Sequence, residues 1–119
     1  MPTTSFKQLD VWQKARLVTL AVYRATTAFP KHQLFSLTAQ MQRAALSIGA
    51  NIAEGYGRRS PRDKAHFYTI AMGSADELEH YLAIAQDLAY WNGDLSLAQL
   101  LQDVGKMLRR LIQKTLTGF

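Results

Sequence analysis

The chain of 119 residues is long enough for one ordinary domain and too short for two. Hydrophobic residues make up 48% and charged residues 19%, a composition that excludes an intrinsically disordered chain. Cysteine is absent, which excludes disulfides, thiolate zinc sites and cysteine nucleophiles. The 14 Lys and Arg residues outnumber the 9 Asp and Glu residues, and this net positive charge permits binding to phosphate polymers.

The apolar segments of the chain do not direct it to a membrane. Residues 1–10 lack the apolar run of roughly 7–15 residues that a secretory signal needs, and no run approaches the roughly 18 residues that cross a bilayer. We therefore expect a soluble, cytoplasmic protein without a membrane partner.

The charge is divided unevenly along the chain. Residues 1–64 carry a net charge of +7, and residues 65–119 carry a net charge of −2. Five acidic residues and no Lys or Arg lie between positions 65 and 94. A protein with one basic and one acidic region is suited either to an anionic partner or to copies of itself.

The first predicted helix, residues 9–28, is more apolar than one buried stripe requires. Its stripe consists of Trp12, Ala15, Thr19, Val22, Tyr23 and Thr26. Leu17, Leu20 and Ala21 fall on other faces, and we interpret this surplus as a contact between subunits. The alternative is a few harmless exposed apolar side chains. Pro30 ends the segment.

The second predicted helix, residues 35–57, carries a polar stripe beside its apolar one. The apolar stripe consists of Leu37, Met41, Ala45, Ile48 and Ile52. The polar stripe consists of Gln40, Arg43, Ser47, Asn51, Glu54 and Arg58. Small residues flank the polar stripe, so we interpret it as a buried polar seam at a helix–helix or subunit junction. The residues of this seam, expected to be structural, are Arg43, Ser47, Asn51, Glu54 and Gly55. The alternative is an exposed face with an ion pair between Glu54 and Arg58.

A basic turn separates the second predicted helix from the third. Its cations are Arg58, Arg59, Arg62 and Lys64. Ser60, Pro61 and Asp63 suit the N-cap, first and third positions of a helix. Arginines beside the positive end of a helix indicate a nucleic-acid phosphate site, and the alternative is a solvated corner.

Two more helices complete an all-α chain. The third, residues 61–91, repeats apolar residues at Phe67, Ile70, Ala71, Ser74, Leu78, Tyr81, Ala85, Leu88 and Trp91. The fourth, residues 95–117, does so from Leu97 to Thr115, after a turn at residues 92–94. Short connections predict an antiparallel up-and-down four-helix bundle that forms a single domain over residues 1–119.

Catalytic and metal-binding patterns are weak. Glu77 and His80 have the Glu-x-x-His spacing of di-iron bundles, but such sites need two of these motifs and two further carboxylates. The segment from Gly55 to Arg58 lacks the Lys-Ser/Thr of a phosphate-binding P-loop, and no nucleophile elbow is present. We predict no catalytic residue, no metal site, no cofactor and no enzyme activity.

Three motifs carry a resemblance to a known family. They are Leu9-x-Val11-Trp12-x-Lys14-Ala15-Arg16, Gln40-x-x-Arg43-Ala44-Ala45-x-Ser47-Ile48-x-Ala50-Asn51-Ile52-Ala53-Glu54-Gly55-x-Gly57-Arg58, and Phe67 followed by Ala71-x-Gly73-Ser74-x-x-Glu77-Leu78-Glu79. With them the chain resembles, over residues 6–117, the bacterial four-helix-bundle family encoded in intervening sequences of 23S ribosomal RNA genes. It is also similar to the accessory variability proteins of diversity-generating retroelements.

The resemblance implies an antiparallel four-helix bundle that assembles into a ring, typically a pentamer with a central pore. In the retroelement relatives the basic barrel binds nucleic acid and a reverse transcriptase. Asn51, Glu54, Gly55 and Arg58 correspond to family-motif residues, without a catalytic role for any of them. The acidic stretch from Asp76 to Asp94 departs from a uniformly basic barrel.

Two functions follow from these observations. The first is a non-enzymatic homo-oligomeric bundle that binds structured RNA or DNA through its basic regions. The second is a protein–protein interaction module whose basic and acidic regions pair between subunits or with a protein partner. The salt dependence of affinity distinguishes them, because phosphate binding releases counterions.

Overall fold

Four α-helices make up most of the structure, a computed structural model that describes residues 5–118. They are α1 (Asp10–Thr26), α2 (Ala39–Gly57), α3 (Pro61–Asp87) and α4 (Leu95–Thr117). Single 3-10 turns occupy Phe6–Gln8 and Lys31–Gln33, and one π-helical turn occupies Leu34–Thr38. No residue from 5 to 118 lies in a strand, which confirms the predicted all-α class.

The helices enclose one hydrophobic core. Helix α1 packs against α2 and α4, and α3 packs against the same two helices. The largest fully buried side chains are Val18, Val22, Met41, Ile48, Ile52, Leu78, Leu97, Val104 and Leu108. Every helix contributes to this set, so each one depends on the helices beside it for the burial of its apolar face.

The buried face of α1 differs from the predicted one. Its buried residues are Val11, Ala15, Val18, Val22 and Thr26, a spacing of three and four that keeps one face toward the core. Tyr23 was predicted on this face but is 40% exposed. It directly follows Val22 and is therefore rotated by about 100° from it. Leu17 and Leu20 are also exposed, whereas Ala21 is partly buried against the core, so the described chain covers only part of the apolar surplus of α1.

Helix α3 buries a straighter stripe than the predicted one. The buried residues are Ala65, Tyr68, Ala71, Ser74, Ala75, Leu78, Leu82 and Ala85. They follow a repeat close to seven residues, which keeps a long helix in register with its neighbours. Ile70 and Leu88 were predicted in this stripe but are exposed: Ile70 lies outside the repeat, and Leu88 lies beyond the last residue of the helix.

The start of α3 confirms the capping prediction. Ser60 is the N-cap, and its Oγ accepts a hydrogen bond from the backbone N–H of Asp63 at 3.0 Å. Pro61 is the first helical residue, where its missing N–H is not needed.

The end of α3 lies at Asp87, four residues before the predicted end at residue 91. The N–H of Ala89 donates to the carbonyl of Gln86, and the N–H of Tyr90 donates to that of Ala85, both at 2.9 Å. This pattern is a Schellman motif, which requires a left-handed residue, and Ala89 takes that role with φ 62°. The sequence shows no glycine at this position, so the stop could not be read from it.

Replacing Ala89 with glycine is expected to stabilise the protein by about 1 kcal/mol, because glycine adopts the left-handed conformation without a steric cost. The matched control is Ala83→Gly, at an exposed interior position of the same helix. It is expected to destabilise by about 1 kcal/mol. Urea unfolding of both variants measures the two opposite shifts. Equal shifts in the same direction would contradict the strain assigned to Ala89.

Candidate nucleic-acid interface

The basic turn between α2 and α3 is short and held by hydrogen bonds at both of its ends. The N–H of Arg58 donates to the carbonyl of Gly55 at 3.2 Å, and the N–H of Lys64 donates to the carbonyl of Ser60 at 3.0 Å. Only residues 58–60 separate the two helices, so the four predicted cations lie within seven residues of one another.

Arg58 is held by one neighbour on α2 and one on α3. Its Nη2 lies 3.4 Å from Oε1 of Glu54, one helical turn earlier. Its Cζ lies 4.5 Å from the ring centroid of Phe67, within cation–π range. Both charged side chains remain about half exposed, so the ion pair is weak and screened.

Lys64 caps the carboxyl end of α2. Its Nζ donates to the carbonyl of Tyr56 at 2.6 Å and lies 3.5 Å from the carbonyl oxygen of Gly55. A helix leaves its last carbonyls without partners and carries a partial negative charge at that end, so an ammonium group is favoured there. The predicted phosphate contact would have to compete with these carbonyls.

Arg59 and Arg62 are the free cations of the turn. Both are exposed, and neither has a hydrogen bond or ion pair with any residue from 5 to 118. They flank the capped start of α3. Exposed guanidinium groups with unused donors can bind phosphate oxygens in a bidentate manner.

Part of the predicted seam lies between α2 and α3. The hydroxyls of Ser47 and Ser74 share a hydrogen bond of 2.8 Å. Asn51 Nδ2 donates to the carbonyl and the Oγ of Ser47, at 2.9 and 3.0 Å. Ser74 is buried, whereas Ser47 and Asn51 are partly buried. These three residues form a small polar network in a helix–helix junction.

The remaining seam residues behave differently from one another. Arg43 and Glu54 are exposed in the single chain. Gly55 is buried against the ring of Tyr68, where an added Cβ would lie 2.7 Å from Cε1. Burial is the main reason that the pKa of the Tyr68 hydroxyl is raised, with a smaller contribution from Tyr56. The stripe is thus part helix junction and part solvent-facing surface.

Comparison with known proteins identifies the family. The family model of the 23S rRNA-intervening sequence protein matches residues 7–112. The chain belongs to this family. A similar solved structure is that of a protein with unknown function from the S23 ribosomal protein family of Bacteroides thetaiotaomicron, with a TM-score of 0.76 and 24% sequence identity. The alignment covers 86% of this chain and 97% of that one. No curated protein matches the chain significantly.

In this member of the 23S rRNA-intervening sequence family, three of the family-motif residues, Asn51, Glu54 and Gly55, lie in the last turns of α2, and the fourth, Arg58, is its C-cap. Gly55 packs against Tyr68 of α3, and Asn51 is linked to α3 through Ser47, whereas Glu54 and Arg58 form an exposed ion pair. The motif therefore combines packing against α3 with the position of the basic turn that follows.

Helix α4 carries basic residues that the sequence analysis did not treat as a site. They are Lys106, Arg109, Arg110 and Lys114, and all of them lie in its second half. Averaging charge over residues 65–119 conceals them, because the six acidic residues of that segment outnumber them. Arg110 and Lys114 line a shallow cleft with Leu9 and Asp10 at the start of α1. A charge count per helix would have found this cluster.

Residues 5–118 contain neither a metal-binding cluster nor a membrane-spanning helix. Within this range no group of three or more His, Asp or Glu residues lies close enough together to hold a metal ion. Glu77 and His80 are both exposed on α3. None of the helices in this range has the length and apolar character needed to span a bilayer.

Proposed function

We propose that this protein is a non-enzymatic, antiparallel up-and-down four-helix bundle that assembles into a ring-like homo-oligomer and binds structured RNA or DNA in the cytoplasm. The observation that carries the binding is the pair of exposed, unpaired guanidinium groups of Arg59 and Arg62 beside the start of α3. No cofactor is part of this function.

The hydrogen bonds between helices support the antiparallel arrangement. From α1 to α2, Gln42 pairs with Thr26, and further along Thr19 donates to the carbonyl of Ala45. The residue number rises in one helix as it falls in the other. Between α2 and α3, Ser47 contacts Ser74, whereas Tyr56, later in α2, contacts Lys64, earlier in α3. The residue number again rises in one helix as it falls in the other.

This arrangement brings the end of α4 to the same end of the bundle as the basic turn. The cations at this end are Lys7, Arg58, Arg59, Arg62, Lys64, Arg110 and Lys114. The acids are Asp10, Glu54 and Asp63. We call this surface the basic end, and its excess of positive charge favours a polyanion.

Exposed apolar residues of α1 support a ring. Leu17, Leu20 and Tyr23 are each about 40% exposed, and Leu46 of α2 is 52% exposed. Neighbouring copies that cover these side faces would repeat the basic end once per subunit. Repetition of weak sites along one polymer raises the overall affinity.

The binding is tested with the double variant Arg59→Glu/Arg62→Glu. We expect it to lose RNA and DNA binding at low salt, with similar losses for different sequences, because the contacts are to phosphates. In the parent, the logarithm of the affinity for duplex should fall with the logarithm of salt concentration, with a slope of about −0.9 per contacted phosphate. Fluorescence anisotropy with labelled duplex and hairpin probes measures both effects.

The matched control is Lys106→Glu/Arg109→Glu, which makes the same change in net charge at exposed positions outside both the basic end and the apolar face of the helix connections. It should retain most of the binding. If the parent binds no nucleic acid at low salt, or if the Arg59/Arg62 variant binds as the parent does, the interaction-module function replaces this one. A sedimenting species of 13.4 kDa at micromolar concentration would contradict the ring.

A further inference from the structure

Large apolar side chains project into solvent from the two helix connections opposite the basic end. Leu34 and Phe35, on the π-helical turn before α2, are 51% and 92% exposed. Leu88 and Leu95, which flank the connection from α3 to α4, are 48% and 82% exposed. Soluble proteins seldom leave several such side chains together without a partner.

The two connections form one continuous surface, because an aromatic contact joins them. The rings of Phe29 and Tyr90 lie with their centroids 5.7 Å apart, and Phe29 is buried. Phe29 leads directly into the turns that carry Leu34 and Phe35. We call the surface formed by residues 28–37 and 88–96 the apolar end.

An open cleft of about 750 Å³ indents the apolar end. On one side, α1 and the residues that follow it contribute the small apolar side chains of Ala21, Ala25 and Ala28, together with Arg24. Tyr90 and Trp91 line the opposite side. Gln86, Asn92, Asp94 and Ser96 also line the cleft, so an aromatic ring would pack against its alanines and aromatic rings beside polar groups.

The charges around the apolar end are balanced. Arg24 and Lys31 are exposed on the side of α1, and Asp87 and Asp94 are exposed on the side of α3 and α4. Two copies can therefore face each other with opposite charges opposed. The basic end cannot do so, since its cations would repel those of a second copy.

We propose that two copies of this chain associate through their apolar ends, with Phe35 of each copy inserted into the cleft of the other. The surface carries both the projecting ring and the cleft, and both signs of charge. A two-fold interface requires such self-complementarity, because residue i contacts j and j contacts i. The contact is separate from the side faces that would form a ring, and it makes the number of subunits even.

The test is the mass of the full chain, freed of nucleic acid, by sedimentation at several concentrations. Phe35→Ser removes a ring that is almost wholly exposed in the single chain, so the fold should not depend on it. Because the two-fold contact loses two rings, we expect the association constant to fall by roughly a hundredfold or more and the mass to halve. Ala28→Trp fills the cleft from an exposed position and should halve the mass as well.

The matched control is Leu116→Ser, which removes a 57% exposed apolar side chain near the end of α4 and should keep the parental mass. A charge test is independent of apolar area: Lys31→Glu should weaken the pair, and adding Asp87→Lys should restore it. A parental mass for Phe35→Ser or Ala28→Trp, or an odd number of subunits in the parent, would overturn the proposal. A parent with only two subunits would contradict the ring and keep this pairing, whereas five subunits would do the reverse.

Discussion

Replacing Gly55 with alanine is expected to lower the free energy of unfolding by about 1–3 kcal/mol through overpacking. The new Cβ would lie 2.7 and 2.9 Å from Cε1 and Cδ1 of Tyr68 and 3.1 Å from the carbonyl oxygen of Lys64. The ring has little room to withdraw, because Tyr68 is only 3% exposed. The helices α2 and α3 would have to separate at the point where the basic turn joins them.

The control for this substitution is Gly73→Ala, on the exposed surface of α3 with no atom within 4 Å of the added Cβ. Alanine restricts the unfolded chain and favours the helix, so this variant should gain up to about 1 kcal/mol. Urea unfolding at one protein concentration measures both. Equal stability of the two variants would show that α2 and α3 do not approach as closely at Gly55 as described.

Replacing Leu78 with alanine is expected to destabilise the protein by about 2–5 kcal/mol, the largest effect of any substitution proposed for it. Leu78 lies in the middle of α3 and is completely buried, so the truncation leaves a cavity between the helices. Thermal unfolding followed by circular dichroism measures the loss.

Ile70→Ala provides the comparison on the same helix. Ile70 is 39% exposed, and its truncation should cost about 1 kcal/mol or less. The sequence pattern placed both residues in the buried stripe of α3, so the pair also tests the corrected face. If Ile70→Ala destabilises the assembled protein as much as Leu78→Ala does, a neighbouring subunit covers Ile70.

The sequence predicts features that depend on local chemistry. The start of α3 follows from Ser60 and Pro61, because an N-cap hydroxyl and a first-turn proline act on their own helix. The end of α3 does not follow, because the left-handed residue is Ala89, which carries no local turn signal. The contact between Phe29 and Tyr90, on the connection that follows, joins parts of the chain far apart in sequence.

In the candidate site, too, the sequence predicts the local features and not those that depend on contacts between helices. The clustering of Arg58, Arg59 and Arg62 is visible in the sequence, and so is the spacing of Arg58 from Glu54 that allows their ion pair. The role of Lys64 is not visible, because its partners are the carbonyls of a different helix. Which residues of a polar stripe lie at a helix junction also depends on the tertiary structure. Asn51 belongs to the polar network at the junction of α2 and α3, whereas Glu54 is exposed.

The cap of α2 by Lys64 makes the backbone of the basic turn rigid before any ligand arrives. The ammonium of Lys64 ties the end of α2 to the first turn of α3, and Ser60 fixes the helix start between them. A phosphate bound by Arg59 and Arg62 would therefore cost only the rotamer freedom of those side chains, about 0.5–1.5 kcal/mol for each. Loss of the Lys64 ammonium would transfer the ordering of the whole turn to the binding step, so that affinity would fall even without a direct contact between Lys64 and the phosphate.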